Sequence, residues 1–293
     1  MNASGAARRL LVGLAVAALV GGCASGASPT PVPATPTPVV TPAAAATAAA
    51  STATTSSGWT MVTISDSALG KGLWSNDVVA ADAYAKWIEQ DLAVRVTVHP
   101  FFYGGSTSGF VLQQIRSDPS LREALQSADV IVFTVPSGEG KDLCPWDAAG
   151  YRPAPGTPAE YRACGKQLVA SYAANAAAIV AEIVALRSPA DALIRAIDRW
   201  DVFYPTYQAM GLGTVTHDVS VALNAGLTRA AAAHGIPVAQ AHATFMGPDG
   251  TTDPVAAGDV QRDERHLTDQ GITTLAGLLR GLGYEKAGPT PAP

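Results

Sequence analysis

The sequence predicts an α/β domain built on a mainly parallel, five-stranded sheet with helices over both faces. Two observations carry this. Short apolar runs alternate with helical patterns from residue 59 to residue 281. The third run, Asp129 to Val135, is almost continuously apolar, the pattern of a strand buried on both sides.

The elements follow in order. Trp59 to Ile64 reads as the first strand. Ser75 or Asn76 caps a helix running to about Asp91, with Val79, Ala83, Trp87 and Ile88 on one stripe. Val94, Val96 and Val98 alternate with Arg95 and Thr97, which makes Val94 to Val98 the second strand. The stretch Phe101 to Gly109 is a glycine-rich loop entering a helix that carries Val111, Leu112 and Ile115. Pro119 opens a short helix ending near Ala128. After the third strand, a long loop from Pro136 to Gly156 holds Cys144. Thr157-Pro158-Ala159-Glu160 is a capping box with proline at the first helical position, and its helix continues to about Arg187. Leu193 to Ile197 is the fourth strand, followed by an aromatic loop with Trp200, Phe203, Tyr204 and Tyr207. A helix over about Val215 to Ala233 stops at Gly235. Ile236 to Ala241 is the fifth strand, Thr244 to Arg265 a polar loop, and the last helix starts near Thr268 and ends near Gly281.

The chain has 293 residues, 48% hydrophobic and 15% charged, with a formal net charge of -5. No basic run follows the N-terminus, which argues against a nucleic-acid groove. The acidic balance leans weakly toward a neutral or cationic substrate. Arg8 and Arg9, the apolar run Leu10 to Val20, and Val20-Gly21-Gly22-Cys23 resemble a bacterial lipoprotein signal, with Cys23 as the lipidated residue. The apolar run is short for a transmembrane span. Residues 1–23 are therefore expected to be a signal, and 24–57, almost only Ala, Pro, Thr, Ser, Val and Gly, a tether. Residues 58–286 form the domain, and 287–293 a proline-rich tail. The expected location is the extracytoplasmic side of the cell membrane, reached by a lipid anchor. In an oxidising compartment the two remaining cysteines, Cys144 and Cys164, are expected to pair.

The candidate chemistry starts at Ile64-Ser65-Asp66-Ser67. A serine in the turn after the first strand of such a fold sits at the carboxyl edge of the sheet, where ligands bind. Ser67 is thus the candidate nucleophile, in need of a base, a group to orient that base, and oxyanion donors. Of five histidines, His99 ends the second strand, and His217 and His234 share a helix. His242 follows the fifth strand and is placed to face the site. His266 stands three residues after Asp263, a spacing that lets the carboxylate hold one ring nitrogen while the other points at a serine.

Asp66-Ser67 after the first strand, Gly105 after the second and Asp263-x-x-His266 before the last helix resemble the SGNH hydrolases, also called GDSL-type esterases and lipases. The resemblance covers residues 59 to 283 and implies a three-layer, flavodoxin-like α/β/α sandwich. It further implies ester hydrolysis through an acyl-enzyme, with Ser67 as nucleophile, His266 as base and Asp263 as its orienter. The main-chain N–H groups of Ser67 and Gly105 would serve as oxyanion donors. The chain departs from the pattern twice. Ser65 replaces the first-block glycine, and Gly138, in Pro136-Ser137-Gly138-Glu139, stands where the family has an asparagine whose amide is the third donor. A main-chain N–H of Ser137 or Gly138 is the expected substitute.

The aromatic residues Phe101, Phe102, Tyr103, Trp146, Trp200 and Tyr204 suit either a pocket lining or the core. Asp249 to Asp263 lacks the spacing of a calcium loop, so no metal or other cofactor is expected. The expected partners are an ester substrate and, through the lipid, a membrane, with the domain a monomer. The alternative reading is a silent relative that binds a glycan or cell-wall component without turning it over.

Overall fold

The structure, a computed structural model, describes residues 58–69 and 79–286. The signal, Cys23, the tether, the tail and the expected cap at Ser75 or Asn76 lie outside these residues.

Five strands form one parallel sheet in the order β2-β1-β3-β4-β5. They are β1 (Trp59–Ser65), β2 (Val96–Phe102), β3 (Val130–Phe133), β4 (Leu193–Ile197) and β5 (Val238–Ala239). The helices are α1 (Val79–Leu92), α2 (Ser108–Ser117), α3 (Pro119–Ser127), α4 (Gly140–Leu143), α5 (Pro158–Leu186), α6 (Tyr204–Ala209), α7 (Gly213–Ala232), α8 (Ala241–Met246) and α9 (Asp269–Gly281).

The period of two along the strands sorts the core into two layers. Met61, Val130, Val132 and Leu193 pack with Tyr84 and Ile88 of α1 and Ile272, Leu275 and Leu279 of α9. Their neighbours Val62, Ile64, Ile131, Phe133 and Ile194 point the other way, onto Ile115 of α2, Leu121 of α3, Ile179 of α5 and Leu227 of α7. The fold is therefore a three-layer α/β/α sandwich, as the alternation of elements and the family resemblance implied. Side-chain caps start several helices where polar residues precede the apolar stripe. Thr107 Oγ1 accepts from the Phe110 N–H at 3.0 Å, Thr157 and Glu160 form the expected reciprocal box, and Thr268 Oγ1 accepts from the Gly271 N–H at 3.1 Å. Helix α5 is long and apolar enough to cross a membrane, but Tyr161, Leu168, Tyr172, Ile179 and Ile183 are buried within the domain.

The expectations fail mostly at strand ends. The second strand is shifted toward the C-terminus, starting at Val96 and continuing through Phe102. Pro100 is tolerated there because β2 is an edge strand, and a missing N–H facing away from the sheet costs no ladder bond. The fifth strand shrinks to Val238–Ala239, also at an edge. The stretches read as loops contain the short helices α4, α6 and α8. Arg195, in the middle of β4, is 1% exposed. Its guanidinium donates to the carbonyls of Gly283 and Glu285 at 2.9 and 3.1 Å, which fastens the chain after α9 to the sheet. A buried cation is retained here because it satisfies main-chain acceptors that have left their helix.

The strand order reverses direction at β1, with β2 on one side and β3 on the other. The crevice outside the carboxyl ends of these strands is where an open α/β sheet binds its ligands. Ser67 follows β1, Gly105 follows β2, Gly138 follows β3 and Arg199 follows β4. One topological fact thus brings four distant stretches of chain to a single edge.

Candidate active site

At that edge lies a cavity of about 480 Å³. Ser67, Gly105, Gly138, Arg199 and Arg265 are in its wall. Its apolar lining includes Phe102, Trp146, Trp200, Phe203 and Tyr207. The aromatic residues therefore divide between the two uses the sequence allowed. Phe102, Trp146 and Trp200 line the cavity, Phe101 and Tyr103 pack on the core behind β1, and Tyr204 is buried with its hydroxyl on the Thr251 carbonyl at 2.8 Å.

Ser67 opens a single turn of 3₁₀ helix directly after β1. It is half-buried, and neither its N–H nor that of Gly105 is taken by another group among the described residues. Gly105 adopts φ +68, the left-handed conformation that favours glycine, and so turns the chain between β2 and α2. Two residues of the cavity wall thus keep uncommitted main-chain donors, the kind of group an oxyanion requires. Ser65, in place of the family's glycine, ends β1 at 1% exposure, and its carbonyl accepts from the Tyr103 N–H at 2.8 Å.

Asp263 and His266 meet as their spacing predicts. The carboxylate Oδ2 lies 2.5 Å from Nδ1 of the ring, and Oδ1 accepts the main-chain N–H groups of Arg265 and His266, each at 3.1 Å. Burial pushes the Asp263 carboxyl up, but the bonds from His266 and Arg265 outweigh it and hold the group below the usual carboxylate range. The turn that carries the pair is strained: Glu264 has φ +65. Its side chain accepts from the N–H and hydroxyl of Thr206 at 3.0 and 2.9 Å, and its carbonyl accepts from the N–H of Phe203, itself at φ +65, at 3.0 Å. The loop after β4 thereby holds the turn that presents the histidine.

The nucleophile and base are not joined in this structure. His266 is wholly buried, neither it nor Asp263 lines the cavity, and among the described residues its Nε2 has no partner, so no hydrogen bond reaches it from the Ser67 hydroxyl. His242, expected to face the site, pairs instead with Asp201 at 3.0 Å outside the cavity.

Ser137 and Gly138 are both in the wall, and the Ser137 N–H is not taken by another group among the described residues, but the expectation that the Gly138 N–H serves as an oxyanion donor is corrected. That N–H donates to the Ser106 carbonyl at 3.1 Å. A Cβ at this position would stand 2.3 Å from the Ser106 oxygen and 2.7 Å from the Gly105 oxygen. The loop after β3 is pressed onto the backbone of residues 105 and 106 and held there by Glu139, which accepts from the Ser108 N–H at 2.7 Å and from its hydroxyl. Only glycine fits such a contact.

Three cations were missed by sequence reasoning. Lys141 Nζ donates to the Gly105 carbonyl at 2.7 Å, at the mouth of the cavity. Arg199 pairs with Asp66. Burial disfavours its charge, but the Asp66 carboxylate more than offsets this and raises its pKa. Asn224 clamps the Arg199 backbone, accepting from its N–H at 3.0 Å and donating to its carbonyl at 2.7 Å. Arg265 stacks over the Phe203 ring at 4.8 Å and donates to the Tyr151 carbonyl at 2.6 Å. Among the described residues that line the cavity, Lys141, Arg199 and Arg265 face the single carboxylate of Asp66. Arg199 is paired with that carboxylate, and Asp263 and Glu139 lie close behind Arg265 and Arg199, so the three cations are partly balanced where they stand. The only available signal was position, since Lys141 and Arg265 neighbour motif residues and Arg199 follows a strand. The Cys144–Cys164 disulfide is present and ties the loop before α5 to that helix beside the cavity.

No protein-family model matches the sequence, and neither does any curated protein. Solved structures do. A lipase from a goat rumen metagenome superposes with TM-score 0.58 at 19% identity, over 77% of this chain and 98% of the other. Phospholipase A1 from Streptomyces albidoflavus gives 0.53 at 17%, over 79% and 100%. A GDSL-like lipase from Parabacteroides merdae gives 0.51 at 10%, over 76% and 94%. At this level of identity the likeness is one of architecture, and the order β2-β1-β3-β4-β5 with helices on both faces agrees with it. The chain has the fold of the SGNH, or GDSL-type, hydrolases.

Proposed function

We propose that the domain hydrolyses carboxylic esters through an acyl-enzyme on Ser67. The observation that carries this reading is the hydrogen-bonded Asp263–His266 pair, which does not itself line the cavity but brackets Arg265, which does, together with Ser67 and Gly105 in the wall with their N–H groups uncommitted among the described residues. Ser67 Oγ attacks the carbonyl carbon as its proton passes to Nε2 of His266. Asp263 fixes the tautomer and supports the imidazolium. The alcohol leaves with that proton, and water, activated by the same nitrogen, releases the acid. The Ser67–His266 bond forms with substrate in place, as catalytic hydrogen bonds often tighten only in the Michaelis complex.

The oxyanion is held by the two N–H groups and by the Lys141 ammonium, which takes over the duty of the missing asparagine amide. A cavity of about 480 Å³ with aromatic walls suits a small or medium acyl or aryl ester. The cations at its wall favour substrates carrying an anionic or oxygen-rich group. The protein is exported and anchored at the membrane by a lipid on Cys23, and it acts there as a monomer without nucleic acid.

A second reading is a binding protein with the same fold and a silent site. The unjoined Ser67 and His266 and the absent amide at Gly138 favour it. Labelling by a fluorophosphonate separates the two, because it requires an activated serine. The hydrolytic reading expects labelling of wild type, none of Ser67→Ala, and loss of p-nitrophenyl butyrate turnover by on the order of 10⁴-fold or more in that variant. A folded wild type that resists the label sinks it.

A further inference from the structure

Away from the cavity, three side chains from three elements converge. Asp201 lies in the loop after β4, His217 on α7 and His242 on α8. The Asp201 carboxylate is 3% exposed, with Oδ2 3.0 Å from Nδ1 of His217 and Oδ1 3.0 Å from Nε2 of His242. The donor atoms of all three residues lie within 4.8 Å of one another, and the two rings are tilted by 33° with centroids 5.3 Å apart.

Two imidazole nitrogens and a carboxylate gathered within 4.8 Å are the donor set of a zinc-class cation. Bonds of about 2.0 Å around a tetrahedron put neighbouring donors about 3.3 Å apart. Here each ring nitrogen lies 3.0 Å from a different oxygen of the carboxylate, and all the donors lie within 4.8 Å, so side-chain rotation has to bring one oxygen and both nitrogens onto the ion. Nitrogen donors disfavour calcium and magnesium, which take oxygen. The frame is also fixed. The Asp201 carbonyl accepts from the Tyr204 N–H at 3.2 Å, and the His242 N–H donates to Asp198 Oδ1 at 2.8 Å. We propose that Asp201, His217 and His242 bind one divalent cation of the zinc class, with water in the remaining position.

None of the three residues lines the cavity, so the ion is not a reactant. It acts on the loop that Asp201 belongs to. Trp200, Val202 and Phe203 of that loop do line the cavity, and the Phe203 N–H holds the Glu264 carbonyl in the turn between Asp263 and His266. An ion at Asp201 would pin this wall to α7 and α8. The inference stands on the cluster alone and does not depend on ester hydrolysis.

The test uses the full chain, stripped with a chelator, dialysed and titrated with Zn²⁺ by calorimetry. Co²⁺ is followed by its visible absorption. One equivalent is expected to bind, to raise the melting temperature, and to give the intense band of low-coordinate cobalt. Loss of even an outer-shell partner costs about 10–100-fold in metal affinity, so His217→Gln and His242→Gln, each losing a ligand, should weaken binding by more than about 100-fold. Their apo melting temperatures report that they still fold. The exposed His99→Gln should bind as wild type does. Absence of binding at micromolar Zn²⁺, or binding that survives in the doubly substituted His217→Gln, His242→Gln protein, overturns the assignment.

Discussion

The family pattern invites one repair, Gly138→Asn, to restore the third oxyanion donor. The packing predicts that this repair does harm. The new Cβ would meet the Ser106 oxygen at 2.3 Å, the Gly105 oxygen at 2.7 Å and the Ser106 carbonyl carbon at 2.7 Å. All three are backbone atoms, so no flexible side-chain end can swing away. Forcing bulk into a packed site costs about 1–3 kcal/mol. Separating the two segments also breaks the Gly138 N–H to Ser106 carbonyl bond, about 0.5–1.5 kcal/mol more. The expected loss is about 2–4 kcal/mol, or a fall of about 5–15 °C in melting temperature for a domain of this size. Gly105 is displaced by the same clash, so ester turnover falls where an added amide should have raised it. Calorimetric melting and p-nitrophenyl butyrate turnover read both effects. Gly138→Ala is the control, because it has the same Cβ and no amide, and it should lose nearly as much stability. If Gly138→Asn melts as wild type does and turns over faster, the account of this loop is wrong.

Lys141→Met should lower kcat by about tenfold or more while leaving the melting temperature unchanged; the side chain is exposed, so the loss should stop short of the 10²–10³ typical of a buried oxyanion donor. Replacing Cys144 and Cys164 together by serine opens a loop with a sequence separation of 20 and should cost about 3 kcal/mol in urea unfolding, with no effect if the bridge is dispensable. Asp263 sets an acid limit. Its carboxyl is held lower in the folded chain than in the unfolded one, so its contribution is fully present above about pH 4 and is lost as pH falls through the folded value. Asp263→Asn should therefore lose less stability than wild type on acidification below about pH 4, and equal losses would show that the pairing with His266 carries no stability.

The parts legible in the sequence are those set by local chemistry. The apolar run at β3, the capping box at Thr157, the stop at Gly235 and the Asp263–His266 spacing are each decided by a few neighbouring residues. The second strand was misplaced because its frame depends on its partner. Alternating valines pointed to Val94, whereas pairing with β1 carries the strand on through Phe102 and leaves Val94 outside. The fifth strand was overestimated for a related reason, since an edge strand is as long as its one neighbour allows. The charge of the cavity was not legible at all. Lys141, Arg199 and Arg265 come from three separate stretches of chain, and a net charge of -5 says nothing about which few groups the sheet edge gathers.

Gly138 shows how a missing motif residue can mislead in both directions. In the sequence it signals only the loss of an amide, and loss of a donor suggests a dead site. In three dimensions the glycine is required, because the loop after β3 lies directly on the backbone that forms the Gly105 turn. The same loop carries α4, whose Lys141 extends its Nζ to within 2.7 Å of the Gly105 carbonyl. An asparagine in a loop held further out would reach the oxyanion with a side-chain amide. A glycine in a loop held close lets a lysine three residues on reach the same turn. A side chain at position 138 that lifts the loop off the Gly105 turn would withdraw Lys141 with it, so Gly138→Asn alone should be worse than leaving the glycine.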